Sequence, residues 1–171
     1  MKYIKAKPIS YSPVRRKRGN VLYIVIHGTA NKGDTAIANA NYYKNVNTRE
    51  AGAHFFVDRS GSIVKSIGMD RAAWAVGGAR WNDYKKTGGG KLYRIANNFN
   101  SVSIELCDIV DKYPSKEQIK AVKKCIKYIR RYCRNAKTVI RHFEVTGKSC
   151  PNSMIDERVW NVFLHDIGEG C

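Results

Sequence analysis

The residues Val21-Leu22-Tyr23-Ile24-Val25-Ile26 form an unbroken apolar run rich in β-branched side chains. A strand with this pattern has no polar face to turn to water, so it must be covered on both sides. Helices supply that cover most simply, which points to an α/β fold. His27 follows at once, at the carboxyl end of the strand, where open α/β sheets place their sites.

The rest of the chain supplies the other parts of such a fold. Asp34 is predicted to cap a helix running to about Lys44. Residues 53–57 and 62–67 flank the turn-rich Asp58-Arg59-Ser60-Gly61 and read as a β-hairpin. Residues 101–107 read as a strand with Glu105 inside it. Ser115 and Gln118 follow Pro114 as a capping-box pattern. The helix after them carries Ile119, Val122, Ile126, Ile129 and Cys133 on one face, and eight Lys and Arg between Lys116 and Arg134 on the other. Residues 138–141 read as a short strand ending at His142, and Asp156 opens a last helix to about His165.

Two stretches carry no such pattern. Residues 77–100 are rich in Gly and polar side chains, and a loop of this length in a compact domain is usually functional. Residues 1–20 hold Pro8, Pro13 and Arg15-Arg16-Lys17-Arg18, and read as an irregular, solvated basic arm. A chain of 171 residues without repeats or linkers is expected to be one domain, 1–171.

Composition narrows the setting. No apolar run approaches the roughly 20 residues that span a bilayer. Met1-Lys2-Tyr3-Ile4-Lys5 is not followed by an apolar stretch, so no secretory signal is expected. The net charge of +17 draws polyanions, whether nucleic acid, anionic membrane or anionic cell wall, without choosing among them. The five Cys are irregularly spaced, which argues against a disulfide framework. Cys107, Cys125 and Cys133 fall on apolar patterns and read as buried thiols, and Cys171 as an exposed chain end. Cys150 lies among polar residues before Pro151 and suits a ligand better.

His142 and Cys150 bracket one loop. With His27 they would offer two imidazoles and a thiolate, a donor set that suits Zn²⁺ and leaves a fourth position for water. The set closes only if strands 21–26 and 138–141 are neighbours. Lys148 could stabilise an oxyanion or be an ordinary loop lysine. Glu105 is either a functional carboxylate in a β-rich apolar stretch or a strand residue facing water. His54 could line a cleft or sit in the core. Trp74 and Trp81 could stack on sugar rings, and Trp74 could equally be core. His165 reads as a surface residue.

Four of these segments, in this order, resemble the type 2 N-acetylmuramoyl-L-alanine amidases, the zinc family that includes phage endolysins and is related to peptidoglycan recognition proteins. They are Val25-Ile26-His27-Gly28-Thr29-Ala30, the hairpin motif Ala53 to Gly61, the strand Ser101 to Cys107, and Arg141-His142 through Lys148-Ser149-Cys150-Pro151. The resemblance spans about residues 20 to 165. It implies a mixed central sheet flanked by helices, zinc held by His27, His142 and Cys150, and cleavage of the amide between N-acetylmuramic acid and L-alanine. The chemistry of such a cleavage would give Glu105 and Lys148 the catalytic roles, and His54, Trp74 and Trp81 are the candidate substrate contacts. Ala53 stands where some members carry a catalytic Tyr, which fits the branch that uses a strand Glu. Ala75 stands where many carry His.

The partner so implied is bacterial peptidoglycan, with anionic wall polymers drawn to the basic helix. The place of action would be the host cytoplasm before lysis and then the wall. Two other readings stay open: a peptidoglycan-binding module without catalysis, and a basic nucleic-acid-binding protein. The second lacks any recognisable nucleic-acid-binding signature.

Overall fold

The computed structural model describes residues 1–170; Cys171, expected as an exposed end, lies outside the described residues. The apolar run becomes β3 (Tyr23–Gly28), with Ile24, Val25 and Ile26 wholly buried. Two strands flank it in parallel, β7 (Ser101–Leu106) and β8 (Thr138–Arg141). Next to β7 lies the parallel β4 (Phe55–Val57), followed by its antiparallel partner β5 (Ile63–Lys65). This pair is the predicted hairpin. β1 (Lys2–Tyr3) adds to β5, giving a mixed sheet in the order β1-β5-β4-β7-β3-β8. A separate antiparallel pair joins β2 (Tyr11–Arg15) to β6 (Arg71–Ala73).

Side-chain alternation sorts the sheet into two faces. Ile24, Ile26, Val102, Ile104 and Leu106 point to α3 (Lys116–Tyr132) and α5 (Glu157–Ile167), where Val122, Ile126, Ile129, Trp160 and Phe163 complete the main core. Each such aliphatic side chain contributes about 1.5–3 kcal/mol by its burial. The other face carries Phe56 and Val64 under α1 (Ala36–Asn45), and Val25 and Ile140 under residues 75–96. Because His27 follows Ile26 and Glu105 follows Ile104, both belong to this second face. The cleft that holds both opens on this face, at the carboxyl ends of the strands.

Four expectations need correction. Residues 1–20 are not a solvated arm: they supply β1 and β2 and bury Ile4, Ala6, Ser10, Ser12 and Arg16. The Arg16 guanidinium donates to the carbonyls of Met69 (3.2 Å), Asn98 (2.7 Å) and Ser101 (2.7 Å), so one charge of the basic run is structural. Helix α1 is capped by Thr35, whose Oγ1 accepts from Ala38 N–H at 3.1 Å. Asp34 instead accepts from Asp108 N–H and from the Asn39 amide, each at 2.6 Å. Ser115 caps α3 as expected, but Gln118 does not reach back to it. Its Nε2 donates to the carbonyls of Val57 (2.9 Å) and Cys107 (3.0 Å), tying the helix to two strands.

The strand at 138–141 does not run into an open loop. His142 begins a short helix, α4 (His142–Thr146), which Gly147 ends in the left-handed conformation (φ 83°). Within the long segment 77–100 there is one turn of helix, α2 (Tyr84–Thr87). The segment is stitched to α4 by backbone bonds from Trp81 to Thr146 (2.8 Å), Gly90 to Phe143 (2.9 Å) and Leu92 to Glu144 (2.8 Å). Gly89 lies so near that a Cβ on it would sit 2.7 Å from Gly147 Cα and from the Phe143 ring.

Candidate metal centre

Strand register assembles the site. In β3 and β7, His27 lies directly opposite Glu105, and in β3 and β8, Ile26 lies opposite Arg141. The residue after Arg141 is therefore level with His27, and it is His142. Their rings stand 4.7 Å apart, centroid to centroid, at 53°. The loop after α4 folds back so that Phe143 N–H donates to the Cys150 carbonyl at 2.9 Å. This brings Cys150 Sγ to 3.8 Å from His27 Nδ1.

One donor atom from each of His27, His142 and Cys150 falls within 4.8 Å of the others. The three residues are 2%, 6% and 6% exposed. Burial drives the His27 imidazole well below its usual range, with the neighbouring His142 and Lys148 adding to the effect. Burial, then Lys148, lowers His142 to about 4. Both rings are thus neutral and carry a lone pair, as metal ligation requires. Burial pushes the Cys150 thiol up to about 12, with the Glu105 carboxylate adding to it. A bound dication reverses that preference, because a coordinating thiol ionises. Among the described residues, Nε2 of His27, Nε2 of His142 and Oε2 of Glu105 are buried polar atoms without hydrogen-bond partners. Buried groups of this kind are normally satisfied, so a cluster of them around converging donors fits a metal ion.

Glu105 faces this cluster, not bulk water, and its Oε1 is 4.0 Å from His27 Nδ1. Burial pushes its carboxyl up to about 7, against the pull of the Lys148 ammonium. Lys148 is exposed and lines the same cleft of about 700 Å³. An adjoining cavity of about 580 Å³ shares Trp74, Ala75, His142 and Lys148 with it and adds Trp81, which is 47% exposed. Ala75 lines both cavities.

Of the two readings of His54, the cleft one fails and the core one holds. It sits on the correct face, but Phe56 is the residue level with Glu105, so His54 is a full strand repeat deeper. It is buried, with Nδ1 accepting from Ser103 N–H (3.1 Å) and Nε2 bonded to the Arg71 carbonyl (3.0 Å). It can neither line the cleft nor serve as a base there. Ala53 packs among Ile4, Ala36, Ala40 and Phe56 in the core under α1. His165 is exposed as expected, and Cys107, Cys125 and Cys133 are buried thiols.

Several residues at the site escaped the sequence reading. Thr29, Asn39, Tyr43 and Arg49 line the larger cavity. Asn39 and Tyr43 lie four apart on α1, a spacing that puts them on one helix face. Arg141 is 2% exposed and closes the loop that carries two of the three donors. Its guanidinium donates to the carbonyls of Met154 (2.9 Å) and Ile155 (3.0 Å) and pairs with Glu144 and Glu157.

Solved structures share this architecture. The structure of PlyL superposes with a TM-score of 0.73 at 23% identity, covering 98% of this chain and 96% of that one. The catalytic domain of XlyA gives 0.71 at 24% identity, covering 98% of each chain. By sequence, the N-acetylmuramoyl-L-alanine amidase XlyB of Bacillus subtilis (strain 168) is 27% identical over 143 residues, 81% of this chain. The chain spans 39% of the length of the curated relatives it matches. The family model for N-acetylmuramoyl-L-alanine amidase, Amidase_2, matches residues 17–153, a stretch that holds every donor of the proposed centre, and the chain belongs to this family.

Proposed function

We propose that this chain is the catalytic domain of a zinc-dependent peptidoglycan amidase of the endolysin type. It would cleave the amide between the lactyl carbonyl of N-acetylmuramic acid and L-alanine. The observation that carries this reading is the convergence of His27, His142 and Cys150 beside Glu105 on the floor of an open cleft. Two neutral imidazoles and one ionisable thiol make a donor set that zinc favours. Bound there, zinc would supply Lewis acidity and a water of lowered pKa.

The chain's own residues would do the rest. Glu105 is placed to take a proton from the attacking water at a carboxylate oxygen and to pass it to the departing alanine amine. Lys148 would hold negative charge growing on the carbonyl oxygen. Trp74 and Trp81 would present their ring faces to the sugar. The exposed basic face of α3 would draw anionic wall polymers. Among the described residues, no helix is long and apolar enough to cross a membrane. The endolysin reading has the protein accumulate in the host cytoplasm and work at the wall once it is reached.

Two measurements test this together. Elemental analysis should find one zinc per chain, lost in Cys150→Ala. Mass spectrometry of digested walls should find free L-alanine amino termini and intact glycan strands. New reducing sugar ends without free alanine amines would refute amidase action.

A further inference from the structure

The two cavities that meet at His142 differ in character. Trp74 lines both; one adds Trp81 and Glu50 to its walls, the other Tyr43, Asn39 and Arg49. Arg49 and Lys148 are the cations that line the larger cavity. Among the described residues, no Asp or Glu lies within ion-pair distance of the Arg49 guanidinium. Arg15, Arg59, Arg130 and Arg158 each have one, and Arg141 has two.

The Arg49 side chain is free, but its backbone is fixed. The buried Asn47 accepts from Arg49 N–H at 3.2 Å and donates to the carbonyls of Arg49 and Ala51, both at 2.9 Å. The same amide reaches Ser10 Oγ at 2.9 Å, anchoring the turn to the N-terminal segment. Ala51 N–H closes the turn onto the Arg49 carbonyl at 2.7 Å. Gly52 follows with no room for a side chain, since a Cβ there would lie 2.7 Å from the Ser10 carbonyl oxygen. A buried amide thus holds the base of one unpaired guanidinium at the wall of the cleft.

We propose that Arg49 is a specificity-determining residue that recognises a carboxylate of the stem peptide. The cleft is then polarised, with glycan against Trp81, peptide in the Arg49 cavity and Trp74 where the two meet. This rests on the amidase reading. In the substrate, L-alanine is followed by a D-glutamate linked through its side-chain carboxyl. Its α-carboxylate is therefore either free or amidated, one residue from the scissile bond. A guanidinium presents parallel N–H donors that match a carboxylate and do not match an amide.

The test compares N-acetylmuramoyl-L-alanyl-D-isoglutamic acid with its isoglutamine counterpart. The protein should favour the acid by about tenfold in kcat/KM. Arg49→Gln should bring the ratio near one, and Arg49→Lys should fall between. Trp81→Ala, on the glycan side, should lower both substrates by the same factor. An acid-to-amide ratio equal in the parent and Arg49→Gln would overturn the proposal. Chemical-shift titration with L-alanyl-D-isoglutamate and L-alanyl-D-isoglutamine gives a second readout that needs no hydrolysis. An Arg49-dependent preference in binding without any cleavage would sink the amidase reading and keep the recognition. Cleavage of both substrates with no Arg49-dependent preference would do the reverse.

Discussion

Replacing Arg141 with Met should cost the fold roughly 3–4 kcal/mol, although the residue contacts no substrate. The guanidinium is 2% exposed and lies against the rings of Phe143 and Trp160, 5.2 and 5.0 Å from their centroids. Met would keep much of that packing volume. It would leave the Met154 and Ile155 carbonyls without their donor and Glu144 without its counter-charge. An acceptor stranded by loss of a charged donor costs about 1–3 kcal/mol. Breaking a buried pair from one side costs about 3–5 kcal/mol. The Glu157 contact adds little, because that carboxylate is 70% exposed. In urea titrations the midpoint should fall with the slope unchanged. At about 2–4 °C per kcal/mol for a domain of this size, melting should drop by roughly 6–16 °C. The double variant Arg141→Met, Glu144→Gln should lose less than the sum of the single changes, since the two share one interaction. A loss below about 1 kcal/mol, or strict additivity, would refute the idea that this clasp holds the donor loop closed.

Three further outcomes concern the chemistry and the charge. Glu105→Gln should keep fold and metal while hydrolysis falls by roughly 10²–10⁴-fold, the usual worth of a positioned acid–base group; near-normal turnover would demote Glu105 to a strand residue. Lys148→Met should slow the reaction and move its acid limb to higher pH, because burial already raises the Glu105 carboxyl and the lysine charge lowers it; a limb that stays in place would deny their coupling. Lys120, Lys124 and Lys127 are exposed on α3, far in sequence from every proposed site residue. Their replacement by Gln should slow lysis of whole cells at low salt and leave cleavage of a short amidated muramyl peptide unchanged. Equal loss on both substrates would place that helix face in the active site or in the fold.

The covered strand, the hairpin and the long amphipathic helix could be read from the sequence because each rests on local periodicity. The N-terminal segment could not. Its charges dominate the sequence pattern, while Ile4 and Ala6 alternate with Lys5 and Lys7 over too short a stretch to stand out. Arg16 adds to the difficulty, since the carbonyls of Met69, Asn98 and Ser101 that bury it come from segments distant in sequence. Asp34 and Thr35 are equally good caps by residue type. Asp34 is diverted by Asp108 N–H and Asn39, so the helix begins one residue later. Gln118 shows the same limit, because tertiary carbonyls outcompete the capping position.

The site was legible as residue types and not as a place. His27, His142 and Cys150 carry the right donor chemistry, but what joins them is parallel pairing of β8 with β3, which neither segment encodes alone. Glu105 posed a two-way question that alternation by itself leaves open. Period two separates Ile104 from Glu105, yet which face opens into a cleft depends on where α3 packs. Once α3 and α5 cover the Ile104 face, His27 and Glu105 must share the other, and their register makes them immediate neighbours. His54 obeys the same parity and still lies outside the site, because a strand repeats every two residues, about 6.6 Å along its axis. Phe56 occupies the level of Glu105, and His54 is left beneath it beside Ser103. Face and depth together decide which of three same-face polar residues reach the donor cluster, and depth comes only from register with the neighbouring strand.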